Sequence, residues 1–273
     1  MDHLPEIAVV GAGSMGGAIL RGLLASGVPP TAVAVSTRSA ASAAAWRAEG
    51  VRAVAVEEDP SANALAVAGA GVVLVGVKPA MVGETLAGIA GALDPGALVV
   101  SVAAGVRTEA MEAIVPNPVV RAMPNTPALV RRAVTGVAAG SRAGAAELVT
   151  ARRLFEAVGV VIELQEDRID ALSAISGSGP ATFAFVVERL TETARRLGFS
   201  DADARAMAEQ TFVGTAALLD ATGDDPAALR RAVTSPKGTT ERIVAVLEAA
   251  DLAELFGRAA AAAIARAREL AAG

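Results

Sequence analysis

The sequence contains no cysteine and no tyrosine, and its single histidine is His3, close to the start of the chain. Without cysteine, no disulfide, thiolate nucleophile or cysteine-ligated metal site can form, and we expect no metal. Without tyrosine or a second histidine, a tyrosine-lysine pair and a Ser-His-Asp triad are excluded, and a terminal histidine is a poor general base. The chemistry must therefore be of a kind that works without these groups.

Long apolar runs are also missing, because the longest, at residues 72–77 and 259–265, are much shorter than the roughly 20 residues of a membrane span. The first residues lack the basic stretch of a signal peptide, so we expect a cytoplasmic protein. A net charge of −5 argues against nucleic acid as a partner. With 273 residues, of which 53% are hydrophobic, the chain has room for two domains with substantial cores.

What the sequence does contain is a glycine-rich turn near its start, where an apolar run at 7–10 leads into GAGSMGG at 11–17 and then into an amphipathic segment. Gly11 permits a tight turn, Gly13 lets the backbone approach a pyrophosphate, and Gly16 allows close packing of the next helix. That helix would direct free N–H groups at phosphate. The pattern predicts a dinucleotide site formed by Gly11, Ala12, Gly13, Ser14, Met15 and Gly16; the alternative is a similar turn that binds nothing.

The second predicted strand, at 32–36, indicates which dinucleotide is bound. Folds that bind NAD usually place an acidic residue after this strand, where it accepts a hydrogen bond from the ribose 2′-hydroxyl. Here the residues are Ser36, Thr37 and Arg38. They favour the 2′-phosphate of NADPH, although Arg38 could equally be a solvated cation at a helix start. We therefore expect NADPH, with NADH as the alternative.

Three further apolar runs predict parallel strands at 72–77, 98–102 and 119–123. Ligands of open α/β sheets bind at the carboxyl ends of the strands, so the residues found there are candidates. Lys78 either lines the site or is an ordinary loop lysine. Two prolines around Asn125 and Thr126 indicate a rigid loop. The candidate cofactor contacts at these strand ends are Val77, Lys78, Pro79, Ala103, Ala104 and Asn125.

The remaining chain changes character. Strands are predicted at 134–139 and 158–164 around a helix at 143–157, and from 167 onward only helical periodicity is found. Helices are predicted at 169–175, 181–197, 202–219, 226–233, 240–249 and 252–271. We therefore predict an α/β Rossmann-like domain over 1–164 and an all-helical domain over 165–273. Because these helices are apolar on several faces, we expect a homodimer or a multiple of dimers.

Two predicted loops of the helical part are rich in serine, threonine and glycine. Residues 176–180, SGSGP, are predicted to form a loop that opens the following helix, with Pro180 near its first turn. Residues 234–240, TSPKGTT, gather hydroxyl groups and a glycine before another helix, which suits a small carboxylate. A hydroxyl-capped helix without a ligand explains this second loop equally well.

In combination these motifs resemble pyrroline-5-carboxylate reductases, over nearly the whole chain. The resemblance rests on GAGSMG at 11–16, VKP at 77–79, SVAAG at 101–105, RAMPNTP at 121–127, SGSGPA at 176–181 and TSPKGTT at 234–240. It implies a Rossmann-like domain followed by a helical domain that interlocks with its partner in a dimer. It also implies hydride transfer from a nicotinamide to the imine carbon of 1-pyrroline-5-carboxylate, which yields L-proline.

The resemblance assigns individual roles as well. It implies that Thr240 lies beside the imine nitrogen, and that Asn63 contacts the cofactor ribose. The substrate carboxylate would be bound by the loop residues Ser235, Lys237, Gly238, Thr239 and Thr240. Lys237 departs from the family, which usually has a glycine there, and the sequence does not decide whether it attracts the carboxylate or points to solvent.

Two other interpretations of the sequence have weaker support. A β-hydroxyacid dehydrogenase shares the N-terminal turn, but its glycine-rich segment with a catalytic lysine and asparagine is absent. A non-catalytic relative with a regulatory or interaction role is supported only by the altered loop at Lys237. An absorbance assay of nicotinamide oxidation with pyrroline-5-carboxylate separates this last interpretation from an enzyme.

Overall fold

The computed structural model describes residues 4–272, and side chains up to residue 269; His3 lies outside this range. Its sheet has eight strands, in the spatial order β3-β2-β1-β4-β5-β6-β7-β8. Neighbours are parallel except β6 and β7, which are antiparallel. The first six positions have the strand order of a dinucleotide-binding fold. The strands are β1 Ile7–Val10, β2 Val33–Thr37, β3 Arg52–Ala55, β4 Val72–Val75, β5 Leu98–Ser101, β6 Val119–Met123, β7 Ala133–Ala139 and β8 Gly159–Glu163.

Helices cover both faces of this sheet, so the central strands are buried on both sides, as their continuous apolar runs predicted. One core contains Leu20, Trp46 and Phe155 from α1, α2 and α6. The opposite core contains Val67, Leu86 and Met111 from α3, α4 and α5. The helices are α1 Ser14–Ala25, α2 Ala40–Ala48, α3 Ala62–Val67, α4 Val82–Ile89, α5 Thr108–Glu112 and α6 Ala145–Glu156.

The strands differ from the prediction by more than one residue in two places. Strand β3 was missed, because it is short, lies at the sheet edge and begins with the exposed Arg52. Strand β4 ends at Val75 rather than residue 77. Beyond it the chain passes the glycine-rich turn so closely that a Cβ atom on Gly76 would lie 2.8 Å from the Gly11 carbonyl oxygen. Gly76 and Val77 therefore pack on the turn.

After Glu163 the described chain contains helices and no further strand, as predicted. The segment 176–180 was wrongly predicted to be a loop. Residues Ser173–Gly177 form a π-helical turn, and Gly179 and Pro180 already belong to α8. The small side chains permit this wide turn, since a Cβ on Gly177 would come within 2.8 Å of the Ser173 hydroxyl. The helices are α7 Ile169–Leu172, α8 Gly179–Arg196, α9 Asp201–Thr222, α10 Pro226–Ala232, α11 Thr239–Ala249 and α12 Leu252–Ala272.

The chain forms two compact units, one of residues 4–178 with 264–272 and one of residues 179–263. The predicted boundary at residue 164 stays a prediction. The second unit has few buried side chains, although Phe183 of α8 meets Phe212 of α9 with ring centroids 5.7 Å apart. Large apolar side chains such as Phe185, Leu197 and Val246 are 58–74% exposed. Within residues 4–272 no helix is long and apolar enough to cross a membrane.

Candidate functional site

The glycine-rich turn between β1 and α1 has a geometry that other residues would not tolerate. Gly11 has a φ of +85°, and a Cβ there would lie 2.8 Å from Val77 Cγ1. A Cβ on Gly16 would lie 2.7 Å from the Gly11 carbonyl oxygen. Both glycines are thus required for the turn and for its packing, as the motif predicted.

Gly13 differs from these two glycines, because a Cβ there would meet no atom within 4 Å and would only fill the open space in front of α1. It is the N-cap of α1, and no side chain accepts a hydrogen bond from the first turn of this helix, which also lacks acidic residues. Ala12 and Met15 pack on the core, while Gly13 and Ser14 are exposed. A bare helix N-terminus with open space in front of it fits a pyrophosphate.

The end of β2 adjoins this turn. The N–H groups of Gly11 and Ala12 donate to the Ser36 carbonyl at 3.1 and 3.4 Å. The Ser36 hydroxyl is buried and has no partner among the described residues. Thr37 is also buried, with its hydroxyl donating to the Ser39 carbonyl at 3.0 Å. Arg38 is exposed and forms no ion pair within the described part of the chain. An exposed cation without an ion pair, on the loop that follows β2, fits a phosphorylated ribose.

An acidic residue also reaches this loop, and the sequence analysis missed it. Glu57 follows β3, and its N–H donates to the Arg38 carbonyl at 3.2 Å. Its carboxylate accepts a hydrogen bond from the N–H of Ala40, the first residue of α2, at 3.0 Å. In sequence, Glu57 lies 20 residues after the end of β2, beyond the positions where an acidic residue for the ribose is expected. Recognising the edge strand β3 would have pointed to Glu57.

The remaining cofactor candidates lie at the carboxyl ends of β4, β5 and β6, which are parallel and therefore end at one edge of the sheet. Lys78 and Ala104 are exposed, whereas Ala103 is buried and its N–H donates to the Ser101 hydroxyl at 3.3 Å. Asn63 is half-buried in the first turn of α3. A cavity of about 890 Å³ opens here, with a lining that includes Pro79, Ala80, Ala104, Gly105, Val106 and Arg107.

Asn125 connects three parts of the first unit. Its side-chain amide donates to the Ser176 carbonyl at 2.9 Å, and its side-chain oxygen accepts from the Val134 N–H at 2.9 Å. The loop after β6 is thus tied both to the start of β7 and to the π-helical turn. Its direct contact with a cofactor stays a prediction.

Arg121 forms a buried charged cluster that the sequence analysis did not single out. Its Nη1 lies 3.5 Å from a Glu166 carboxylate oxygen and its Nη2 lies 3.3 Å from one of Asp170. Glu166 also accepts hydrogen bonds from the N–H and hydroxyl of Thr108, at 2.8 and 2.9 Å. This cluster joins β6 and α5 to the segment that begins the helical part of the chain.

The loop at 235–240 in the second unit leaves its hydroxyl groups free. Its N-cap is Gly238, and the hydroxyls of Ser235, Thr239 and Thr240 form no hydrogen bond within the described residues. The hydroxyl-capped helix considered from the sequence is therefore not what the structure contains. Lys237 is exposed with a φ of +60°, the left-handed region that favours glycine. Its N–H donates to the Glu241 carboxylate at 2.8 Å.

The described residues contain no group of three metal-ligating side chains close enough to hold an ion.

Two family models match the chain. The model described as pyrroline-5-carboxylate reductase dimerisation matches residues 166–270, and the one described as NADP oxidoreductase coenzyme F420-dependent matches residues 6–105. The two matches cover the helical part and the first strands of the sheet, respectively. A nicotinamide-dependent oxidoreductase that associates through its helical part agrees with both.

Similar proteins agree with these models. A pyrroline-5-carboxylate reductase of Pseudomonas aeruginosa is 40% identical over 270 residues, which are 98% of this chain and 97% of that protein. The solved structure of a pyrroline-5-carboxylate reductase from Coxiella burnetii matches with a TM-score of 0.91 and 36% identity, covering 98% of this chain and 99% of that one. A Plasmodium falciparum pyrroline carboxylate reductase with NADP bound has a TM-score of 0.80 over 99% of both chains, and at 22% identity it supports the fold alone. At this identity over almost their full lengths, the chain belongs to the pyrroline-5-carboxylate reductase family, as its motifs predicted.

Proposed function

We propose that this protein reduces 1-pyrroline-5-carboxylate to L-proline with NADPH. The observation that carries the proposal is the loop at 235–240, where unpaired hydroxyls surround the uncapped N-terminus of α11. Such a terminus suits a small carboxylate, because its free N–H groups and the helix dipole both favour an anion. Family membership favours this function over a β-hydroxyacid dehydrogenase, whose catalytic segment is absent.

The cofactor would be held by the first unit. The turn between β1 and α1 would bind the pyrophosphate, and the end of β2 would bind the ribose with its 2′-phosphate. A bound nicotinamide supplies the hydride. The proposed contacts are Gly11, Ala12, Gly13, Ser14, Met15, Gly16, Ser36, Thr37, Arg38, Asn63, Val77, Lys78, Pro79, Ala103, Ala104 and Asn125.

The substrate would be held by the second unit. Ser235, Lys237, Gly238 and Thr239 would bind the carboxylate, while the half-buried Thr240 hydroxyl would contact the imine nitrogen. A cyclic imine can arrive already protonated, so the chain needs to orient it rather than supply a strong acid. This accounts for a reductase that has no tyrosine and a single histidine.

The test of the function is oxidation of NADPH in the presence of pyrroline-5-carboxylate, followed by absorbance, with proline identified as the product. Turnover that yields proline supports the proposal. A protein that binds the nucleotide but gives no proline would instead be a non-catalytic relative of the same fold.

We predict that Arg38→Ala raises the KM for NADPH about five- to tenfold, because an exposed charge-assisted contact to the 2′-phosphate is lost. The KM for NADH should barely change, since that nucleotide has no phosphate at this position. Steady-state kinetics with both nucleotides measure the effect. Equal changes for the two, or a wild type that prefers NADH, would contradict the role of Arg38.

We also propose that the chain associates as a homodimer or a multiple of dimers through its helical part. Its second unit exposes 55% of Phe183, 58% of Phe185 and 63% of Ile243, more apolar surface than a monomer usually presents. Sedimentation at micromolar concentration should give a mass of at least two chains. A monomeric mass would rule this out, and Phe185→Glu should shift the protein toward a smaller species.

A further inference from the structure

We propose that Glu57 sets the selectivity between NADPH and NADH, acting against Arg38. The two side chains belong to one small loop cluster at the ends of β2 and β3, defined by residues 36–40 and 56–57. The backbone fixes their proximity, because the Val56 N–H donates to the Thr37 carbonyl at 2.8 Å and the Glu57 N–H to the Arg38 carbonyl at 3.2 Å. The inference rests on the proposed cofactor site.

The Glu57 carboxylate lies at the N-terminus of α2, on the loop where the 2′-phosphate is proposed to bind. It accepts a hydrogen bond from the first N–H of α2, at 3.0 Å, and so lies at the positive end of that helix. A dianionic phosphate at this end of the site must either displace the carboxylate or tolerate its negative charge. Either alternative makes the binding free energy of NADPH less favourable relative to that of NADH.

The same carboxylate suits an unphosphorylated ribose. In folds that bind NAD, an acidic residue at this end of the site accepts a hydrogen bond from the 2′-hydroxyl. Here the acidic group comes from β3 rather than β2, but it reaches the same loop. Arg38 attracts a phosphate and Glu57 accepts from a hydroxyl, so the loop carries a determinant for each nucleotide.

Within the described residues Glu57 forms no ion pair, and its carboxylate is exposed. Its neighbour Glu58 is engaged elsewhere, since hydrogen bonds from the Ala55 N–H and from Arg47 lower the pKa of its carboxyl. Glu57 is thus the acidic group on this loop that is free to act on a nucleotide.

The test measures binding of two adenosine nucleotides by calorimetry, without the reaction. The full-length protein and its Glu57→Gln variant are titrated with 2′,5′-ADP, which carries the 2′-phosphate, and with 5′-AMP, which carries a hydroxyl there. Glutamine keeps an oxygen that can accept from the Ala40 N–H but removes the charge. We expect affinity for 2′,5′-ADP to rise about three- to tenfold and affinity for 5′-AMP to stay equal or fall.

Two controls isolate the local effect. Glu156→Gln removes the same charge from the exposed end of α6 and should change neither affinity by more than about twofold. The gain for 2′,5′-ADP should also shrink as salt is raised, because exposed charges are screened. A loss of helix structure alone would weaken the binding of both nucleotides and would leave the ratio of their affinities unchanged.

The outcomes distinguish this inference from the proposed function. An unchanged ratio of the two affinities in Glu57→Gln overturns the role of Glu57, even if the enzyme reduces pyrroline-5-carboxylate. Binding of neither nucleotide by the wild type overturns the role of Glu57 together with the cofactor assignment. A ratio that shifts toward 2′,5′-ADP supports the inference.

Discussion

Thr240→Val should lower kcat/KM for pyrroline-5-carboxylate about ten- to hundredfold. Valine keeps the branched shape and removes only the hydroxyl, which has no partner in the described chain and is half-buried in the first turn of α11. Loss of one hydrogen bond to a charged or charging nitrogen costs roughly 1.5–3 kcal/mol, which corresponds to this range. Steady-state kinetics at saturating NADPH measure it.

Thr234→Val is the matched control for this experiment. The Thr234 hydroxyl donates to the Arg230 carbonyl at 2.6 Å and so acts within the chain. Its loss should change stability slightly and leave kcat/KM nearly unaltered. An unaffected Thr240→Val enzyme would contradict the proposed contact with the imine nitrogen. A matching loss of NADPH affinity would mean that the hydroxyl acts on the cofactor site and not on the substrate.

Arg121→Met should destabilise the folded protein by about 3 kcal/mol or more. The Arg121 side chain is 5% exposed, and its partners Glu166 and Asp170 are 14% and 28% exposed. Methionine retains much of the volume but removes the cation that faces both carboxylates. Within the described residues Asp170 then has no ion pair, and Glu166 keeps only the exposed Arg107 at 3.8 Å. A buried carboxylate that loses its cation is expensive. For a chain of this size we expect the Tm to fall by roughly 6–12 °C. Thermal unfolding followed by circular dichroism measures it.

Arg152→Met provides the comparison, because Arg152 pairs with Glu163 at 2.7 Å on the surface, where both side chains are more than a third exposed. Such pairs contribute about 1 kcal/mol or less. Adding Glu166→Gln to Arg121→Met should recover part of the lost stability, since one of the two carboxylates that Arg121 faces loses its charge. Equal effects of Arg121→Met and Arg152→Met would show that the buried cluster contributes no more than a surface pair.

Much of the fold could be predicted because its signals are local. The glycine-rich turn, the buried strands and the change to helical periodicity each occupy a short stretch of sequence, and the predicted fold class is confirmed. The motifs also identified the family. What escaped prediction depends on contacts between distant residues. Arg121 lies 45 residues from Glu166, and Glu57 lies 17 residues from Ala40, so no local pattern connects them.

The π-helical turn escaped for a related reason. The serines and glycines at 176–179 are typical of loops, and the hydrogen bond from Asn125 to the Ser176 carbonyl, across 51 residues, helps to hold a helical path there. Glu57 escaped prediction because β3 did. Without that strand, the sequence does not show that Glu57 lies at the same edge of the sheet as Arg38. The site residues taken from the resemblance stay predictions until variants are measured.

Trp46 dominates the intrinsic fluorescence of the protein. It is the single tryptophan of a chain without tyrosine, so the near-ultraviolet emission of the whole protein comes almost entirely from one indole. That indole is buried on α2, with Arg21 stacked 4.6 Å from its ring centre, and it lines the same groove of about 350 Å³ as Gly13 and Ser14. A nucleotide that binds at the turn would lie near this indole. Binding of the cofactor can therefore be followed by the fluorescence of Trp46, without a label.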